Sequence, residues 1–251
     1  MTSVDLNADM GESFGPWVMG DDAALLQVVT SANIACGFHA GDPDVMAATM
    51  AKAVAKGVGI GAHPGFDDLK GFGRHRRDIP HATLGNIVRY QLGAAQAMAK
   101  TAGGTVRHLK LHGALANMCS EDEEMARTAY AAALEVDPEL IIMVLALTAQ
   151  HRAVEALGCA HAAEIFADRA YNDDATLVDR RQPGAMVHDP DEAADRIVQM
   201  VTQGAILTAS GAHLPTQIDT ICCHGDTPEA IAIATSVRQR LEAEGITVTR
   251  F

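Results

Sequence analysis

Ser31–Pro43, SANIACGFHAGDP, is the stretch that decides the fold. It opens as a short apolar strand, Ala32 to Cys36, and breaks at Gly37 and Gly41 around His39. Asp42-Pro43 then starts a helix, because an Asp side chain caps free backbone N–H groups and Pro fits the first helical position. A strand that ends in Gly, His and Asp before a helix has the form of the active end of a β/α unit. In parallel β/α folds, ligand-binding residues collect at the C-terminal ends of the strands.

The same device recurs outward along the chain. Seven strand-like segments, at about 3–8, 31–36, 58–62, 106–112, 140–146, 161–167 and 218–223, alternate with helical ones. Met46, Met50, Ala53 and Val54 share one face of a helix from Asp42 to Lys56 that stops at Gly57. Leu84, Ile87, Val88, Leu92 and Ala95 mark a second helix, and Ser120 with Glu123 has capping-box spacing for a third. A short fourth runs from about Ala149 to Leu157. Asp189-Pro190 opens a fifth, and Thr227-Pro228 the last, with Ala230, Ala234, Val237 and Leu241 facing inward. This alternation predicts an α/β fold: a seven-stranded parallel β/α barrel, with an irregular eighth strand at Ile246–Val248. A doubly wound open sheet is the structural alternative. No linker or composition break appears, so residues 1–251 read as one domain. Two excursions, Gly65–Pro80 and Tyr171–Val187, are long enough to be functional, and a hairpin is expected around Ser210-Gly211.

Hydrophobic residues make up 48% of the chain and aromatics only 4%, so the core must be built from Ala, Val, Ile, Leu and Met. A net charge of −13 argues against nucleic acid or an anionic membrane as partner. Five cysteines without a C-x-x-C make a disulfide framework or zinc knuckle improbable. The N-terminus lacks the apolar core of a signal peptide, and a cytoplasmic enzyme or enzyme subunit is expected. Neither a P-loop nor a G-x-S-x-G elbow is present. The glycines of Gly57–Ala62 run through a strand rather than into a helix, which excludes a dinucleotide fingerprint.

Asp5, Asn7 and Asp9 alternate along the first strand and point the same way, either into a barrel or, for Asp5, to the surface. Asp9 and Glu12 fall at the strand's mouth. His39 and His63 end the next two strands. With Asp9 they form one candidate divalent-metal set, and hydrogen-bonding histidines form the alternative. Lys110 and His112 share a face of the fourth strand: an ammonium inside a barrel must be paired or functional, and His112 suits acid–base work. Glu164 leads to Asp168 and Arg169, which could fix a charged group or simply pair with each other. His224 ends the last strand beside Asp226. The expected site therefore has Asp9, Lys110, His112 and Asp168 as catalytic groups. Asn7, Glu12, Arg74, Glu164, Arg169 and His224 are expected to bind substrate.

Together, DLNADMGESFG, SANIACGFHAGDP, GAHPGFDDLKGFGR, LKLHGALANM, EIFADRAYNDDATLV and DTICCHGD resemble the LamB/YcsF family across nearly the whole chain. The resemblance implies a barrel of the glycoside hydrolase/deacetylase type. It also implies ATP-dependent opening of 5-oxoproline (pyroglutamate) to L-glutamate, with B and C partner subunits and with ATP bound by those partners. Leu111 and Ala116 stand where the family has Pro and Tyr, and Ala8 stands where Cys is common, which argues against a thiol nucleophile there. Arg74, Arg76 and Arg77 could guide an anion, or could be an ordinary solvated loop. The alternatives are a stand-alone metal-dependent carbohydrate or amide hydrolase and a non-catalytic substrate-binding subunit. Homo-oligomerisation is left open.

Overall fold

A computed structural model describes residues 2–225 and 229–251. Asp226, Thr227 and Pro228, expected to open the last helix, lie outside the described residues. In chain order the elements are β1 (Ser3–Met10), α1 (Asp22–Leu25), β2 (Ser31–Ala35), α2 (Pro43–Lys56), β3 (Gly59–His63) and α3 (His81–Thr101). Then come β4 (Val106–Lys110), α4 (Gly113–Glu121), α5 (Glu123–Val136), β5 (Ile141–Leu145), α6 (Ala149–Leu157) and β6 (His161–Phe166). The chain ends with α7 (Pro190–Gln203), β7 (Ala205–Leu207), β8 (His213–Pro215), β9 (Thr220–Cys223), α8 (Ala230–Ala243) and β10 (Thr247–Val248).

Strands β1 to β6 and β9 pair in parallel in that order, and β9 pairs back onto β1 through Asn7↔Cys222. The sheet is thus a closed seven-stranded barrel, and the open doubly wound alternative is excluded. The irregular eighth strand, β10, joins the N-terminal end of β1 at Ser3↔Thr247, outside the ring. The hairpin around Ser210-Gly211 forms as β7 and β8, paired antiparallel.

Local chemistry sets the helix ends. The Asp42 side chain accepts from the N–H groups of Asp44 and Val45, and Gly57 closes α2 in the left-handed conformation. Asp189 and Gly204 do the same for α7. The cap of α5 is Asp122, which accepts from Met125 N, rather than the expected Ser120. Ser120 instead ends the additional helix α4, its hydroxyl donating to Asn117 O. A carboxylate one residue before Glu123 outcompetes the hydroxyl because it is the stronger acceptor.

Alternation along β1 divides the molecule into two chemical zones. Val4, Leu6, Ala8 and Met10 join the apolar cluster between barrel and helices, each large side chain among them contributing roughly 1.5–3 kcal/mol by burial. Asp5, Asn7 and Asp9 point inward. Asp5 is not on the surface: it is 1% exposed and accepts from the hydroxyls of Thr30, Ser31 and Thr220. Those three donors partly offset burial, yet burial still raises the Asp5 carboxyl above its ordinary pKa.

Candidate active site

The barrel interior is a column of paired polar groups with its charged end at the C-terminal rim. Above Asp5, the Asn7 amide donates to Glu164 and Thr220 and accepts from Asn33, which also donates to Asp9 Oδ1 at 2.9 Å. His108 reaches Asn33 Oδ1 at 2.8 Å, in space left open by Gly61; a Cβ there would fall 2.0 Å from the ring. Lys110 stands on this column. Its Nζ lies 3.0 Å from Asp9 Oδ1, 2.8 Å from Glu164 Oε1 and 2.9 Å from Cys222 Sγ. Burial works against the ammonium, but Asp9 above all holds its pKa well above the ordinary lysine value. Burial likewise opposes ionisation of Asp9, and His63 and Lys110 outweigh it, keeping the carboxyl well below its usual range. For Glu164 burial prevails and the pKa rises. Burial also raises Cys222 well above the ordinary thiol value, so it stays a thiol, unsuited to nucleophilic attack.

Three histidines close round the same spot. His63 Nδ1 meets Lys110 O at 2.8 Å and His112 Nε2 meets Phe72 O at 2.8 Å. A carbonyl can only accept, so both of those ring nitrogens carry their protons. The remaining nitrogens, His63 Nε2 and His112 Nδ1, face each other at 3.0 Å. In neutral rings these are two opposed lone pairs, an arrangement that requires positive charge between or beside them. Burial, with repulsion from the neighbouring histidines, holds the pKa values of His112 and His39 well below the ordinary imidazole value. His39 stacks on His112 with centroids 3.6 Å apart, is 0% exposed, and makes no hydrogen bond through either nitrogen among the described residues. Glu12 Oε1 lies 3.6 Å from His39 Nε2 and 3.7 Å from His112 Nδ1. Glu12, His39, His63 and His112 thus present ligand atoms all within 4.8 Å of one another. Orphaned buried nitrogens, opposed lone pairs and a carboxylate form a donor set that fits a divalent cation. The expected set of Asp9, His39 and His63 is regrouped: Asp9 Oδ2 is 3.4 Å from His63 Nε2 but falls in a second group with Cys222 and His224. Gly73, at φ +62°, lets the 65–80 excursion lie against this cluster; a Cβ there would sit 2.7 Å from both His112 Cδ2 and His39 Cβ.

Above the column opens a cavity of about 860 Å³. Asp9, Glu12, His63, Lys110 and His112 form one side. Arg74, Arg169 and His224 also line it, whereas Asn7, Glu164 and Asp168 lie beneath or behind its surface. Asp168 accepts from His224 Nδ1 at 2.7 Å, which leaves His224 Nε2 to accept from Arg180 at 3.0 Å. His224 therefore has a fixed tautomer, and Asp168 acts on the cavity through it. Phe166 lies between, 5.0 Å under Lys110 Nζ and stacked on His224 at 5.1 Å. Of the basic residues on the 65–80 excursion, Arg74, over Phe72, and Arg76, tied to Glu121, both line the cavity, and Arg77 turns to Asp68. Sequence reading missed Asn33, His108 and Arg180. The first two had a signal in alternation, since Asn33 sits two residues after Ser31 and His108 two before Lys110.

The LamB/YcsF family profile matches residues 4–251. The chain belongs to the LamB/YcsF family. A relative from Ruegeria pomeroyi, named as the A subunit of 5-oxoprolinase, is 67% identical over 251 residues, covering 100% of this chain and 99% of its own. The crystal structure of a lactam utilization protein from Thermus thermophilus superposes with a TM-score of 0.94 at 39% identity, covering 100% of both chains. A family 4 carbohydrate esterase from Streptomyces lividans, at 13% identity, TM-score 0.52 and coverage of 98% of this chain and 91% of its own, shares the fold alone. The barrel is thus of the type found in this family and among polysaccharide deacetylases. Among the described residues no helix is long and apolar enough to cross a membrane.

Proposed function

We propose that this chain, acting as one cytoplasmic domain over 1–251, is the lactam-opening component of an ATP-dependent 5-oxoprolinase that works with B and C partner subunits. The observation that carries the reading is the 67% identity, end to end, to a relative named as the A subunit of 5-oxoprolinase. The chain's own chemistry supports it. A lactam is a resonance-stabilised amide, and opening it needs an activated water, stabilisation of charge on the carbonyl oxygen, and a proton for the departing nitrogen. Phosphorylation of the lactam oxygen by partner subunits using ATP makes the ring carbon electrophilic. Water adds to that carbon, the C–N bond breaks as nitrogen gains a proton, and the resulting acyl phosphate takes a second water to give glutamate and phosphate.

In this scheme Asp9, ionised and beside His63, accepts the proton of the attacking water, and His63 with His112 extends the relay only while the two rings hold no ion. Lys110 holds Asp9 in place and balances its charge. His224, held by Asp168 at Nδ1 and by Arg180 at Nε2, lines the cavity as a substrate-binding surface. Glu12, His39, His63 and His112 would hold a divalent cation, whose chemistry there is to polarise a carbonyl or acidify a bound water. That donor set also favours a second reading, a metal-dependent amide hydrolase that needs no ATP.

The test combines this chain with the B and C subunits and follows 5-oxoproline-dependent ADP release and glutamate formation. Turnover is expected only with all three. Turnover by the chain alone with ATP would overturn the division of labour, and metal-dependent turnover without ATP would install the second reading.

A further inference from the structure

His39 is placed by packing rather than by hydrogen bonds. The other two histidines of the cluster are pinned to carbonyls, His63 at Lys110 O and His112 at Phe72 O. His39 is fully buried and hydrogen-bonds through neither nitrogen among the described residues. Glu12 Oε1, 3.6 Å from its Nε2, is beyond hydrogen-bonding reach. Contact therefore sets the ring: His112 stacks on it, and the main chain of two glycines closes in beside it. A Cβ built on Gly65 would fall 2.6 Å from His39 Nδ1, and one on Gly73 would fall 2.7 Å from His39 Cβ. Gly73 is fixed from within its own excursion, its N–H donating to Asp68 O at 2.9 Å.

Gly65 is fixed from outside, by Gln91. This residue lies on the buried face of α3 among Leu84, Val88 and Leu92, and is itself fully buried. A primary amide on an apolar helix face is unfavourable unless it is bonded. Gln91 Oε1 accepts from Gly65 N at 3.0 Å, and Nε2 donates to Gly65 O at 2.9 Å. One side chain thus takes both peptide groups of a single residue. Its other Nε2 hydrogen turns back along the helix to Ile87 O at 3.2 Å. Pro64, between His63 and Gly65, accepts from His112 N at 2.9 Å. The run His63-Pro64-Gly65 therefore carries one histidine, receives the main chain of the second and walls the third.

We propose that Gln91 is the positioning residue of the histidine cluster: by clamping Gly65 it holds His39 where Glu12, His39, His63 and His112 can share one cation. An amide suits this task because it offers a donor and an acceptor side by side, matching the N–H and C=O of one residue. When the clamp opens, the main chain at 64–66 is free to shift, and His39, tied by no hydrogen bond of its own, turns out of register with its neighbours. The inference rests on the cation-binding reading of the cluster and is independent of which amide the cavity takes.

Two measurements on the purified full chain test it. One is zinc binding by calorimetry after treatment with a chelator. The other, on the metal-free chain, is NMR of the histidine ring protons, because a stacked imidazole is shifted upfield by its neighbour's ring current; the His39 signals are assigned by their absence in H39A. Q91M, close to glutamine in volume but without its polar bonds, should bind zinc at least tenfold more weakly than wild type and lose the upfield shift. Q91E keeps the acceptor for Gly65 N–H and loses the donor to Gly65 O, so it should fall between the two. Gly65→Ala leaves the amide in place and drives a Cβ into His39, so it should weaken zinc as Q91M does and reports even if Q91M does not fold. A glutamine that only stabilises the fold would lower the melting temperature of Q91M and leave its zinc affinity and ring shifts unchanged, which would overturn the proposal. Zinc bound by G65A as tightly as by wild type would overturn it as well. If wild type binds no zinc, loss of the ring shift in Q91M keeps Gln91 as the positioning residue and removes the cation reading, whereas an unchanged shift removes both.

Discussion

Replacing Lys110 by Met isolates the electrostatic role of the side chain, because the two are close in volume and the substitution removes only the charge and its donors. The ammonium is 5% exposed and serves Asp9 at 3.0 Å and Glu164 at 2.8 Å. Without it two buried carboxylates face one another across the amides of Asn7 and Asn33. Removing one member of a buried ion pair typically costs about 3–5 kcal/mol, since the abandoned charge remains out of water. A domain of ordinary stability, about 5–15 kcal/mol, survives that loss but only marginally. The Glu164→Gln change removes one of the two abandoned carboxylates. It should therefore destabilise the parent protein by about 1–3 kcal/mol and do much less, or even stabilise, in the K110M background. Urea unfolding at pH 7, followed by circular dichroism on all four proteins, yields the coupling, expected near ~2–3 kcal/mol. Loss of less than about 1 kcal/mol in K110M, or additivity of the two changes within about 0.5 kcal/mol, would refute the claim that Lys110 holds the carboxylates together.

The remaining expectations concern the cluster and its supports. After dialysis against zinc or manganese, the wild-type chain should retain a stoichiometric ion by mass spectrometry, and H39A and H112A should not; a chelator should lower the melting temperature of the wild type alone. Gly73→Ala forces a Cβ to within 2.7 Å of two histidines at φ +62°, and should cost about 1–3 kcal/mol in urea unfolding as well as the bound ion. Asp168→Asn removes the carboxylate that orients His224. Turnover of the reconstituted complex should fall about 10–100-fold while the melting temperature moves little. Asp5 has a raised folded pKa, so the native state holds its proton more tightly than the unfolded chain. This contribution is fully present below the unfolded value and is lost as pH rises through the folded one. Asp5→Asn should flatten the stability profile as pH rises above the ordinary carboxylate range, read by urea unfolding across a pH series.

The barrel was legible because each β/α unit carries its own punctuation: Asp42-Pro43 and Gly57, Asp189-Pro190 and Gly204 all stand where caps are found. Helix α4 was not. LKLHGALANM reads as a strand running into a site, and its turn into a helix depends on Gly113 at φ +53° packing against Gly73 O, a contact from a distant part of the chain. The site was legible as a set of strand ends, since alternation puts Asp5, Asn7 and Asp9 on one face and Lys110 beside His112. Its pairing was not. Asn33 was hidden in what reads as an apolar strand, and only the register Asp9↔Asn33 shows that it reaches Asp9. Arg180 lies in an excursion shaped by bonds such as Tyr171↔Leu177 and Arg169↔Met186, so its arrival at His224 leaves no local trace.

The polar interior of the barrel also bears on which groups are free to react. Every layer below the rim is closed: Asp5 by three hydroxyls, Asn7 by Glu164, Thr220 and Asn33, and His108 by Asn33. Such a column cannot reorganise without leaving a buried polar group unmade, at a cost of about 1–3 kcal/mol each. The rim therefore inherits fixed positions for Asp9 and Lys110. The lone pairs of His63 and His112, opposed at 3.0 Å, are likewise held in place by the carbonyls of Lys110 and Phe72 behind them. A cluster that could relax would have rotated one ring to relieve that opposition. Because each ring is pinned from behind, the positive charge has to come to the rings, as a proton shared with Asp9 or as a metal ion. A neutron or ultrahigh-resolution crystal structure of the metal-free chain distinguishes these, and a proton found between His63 Nε2 and His112 Nδ1 would make the cluster a proton relay first and a metal site second.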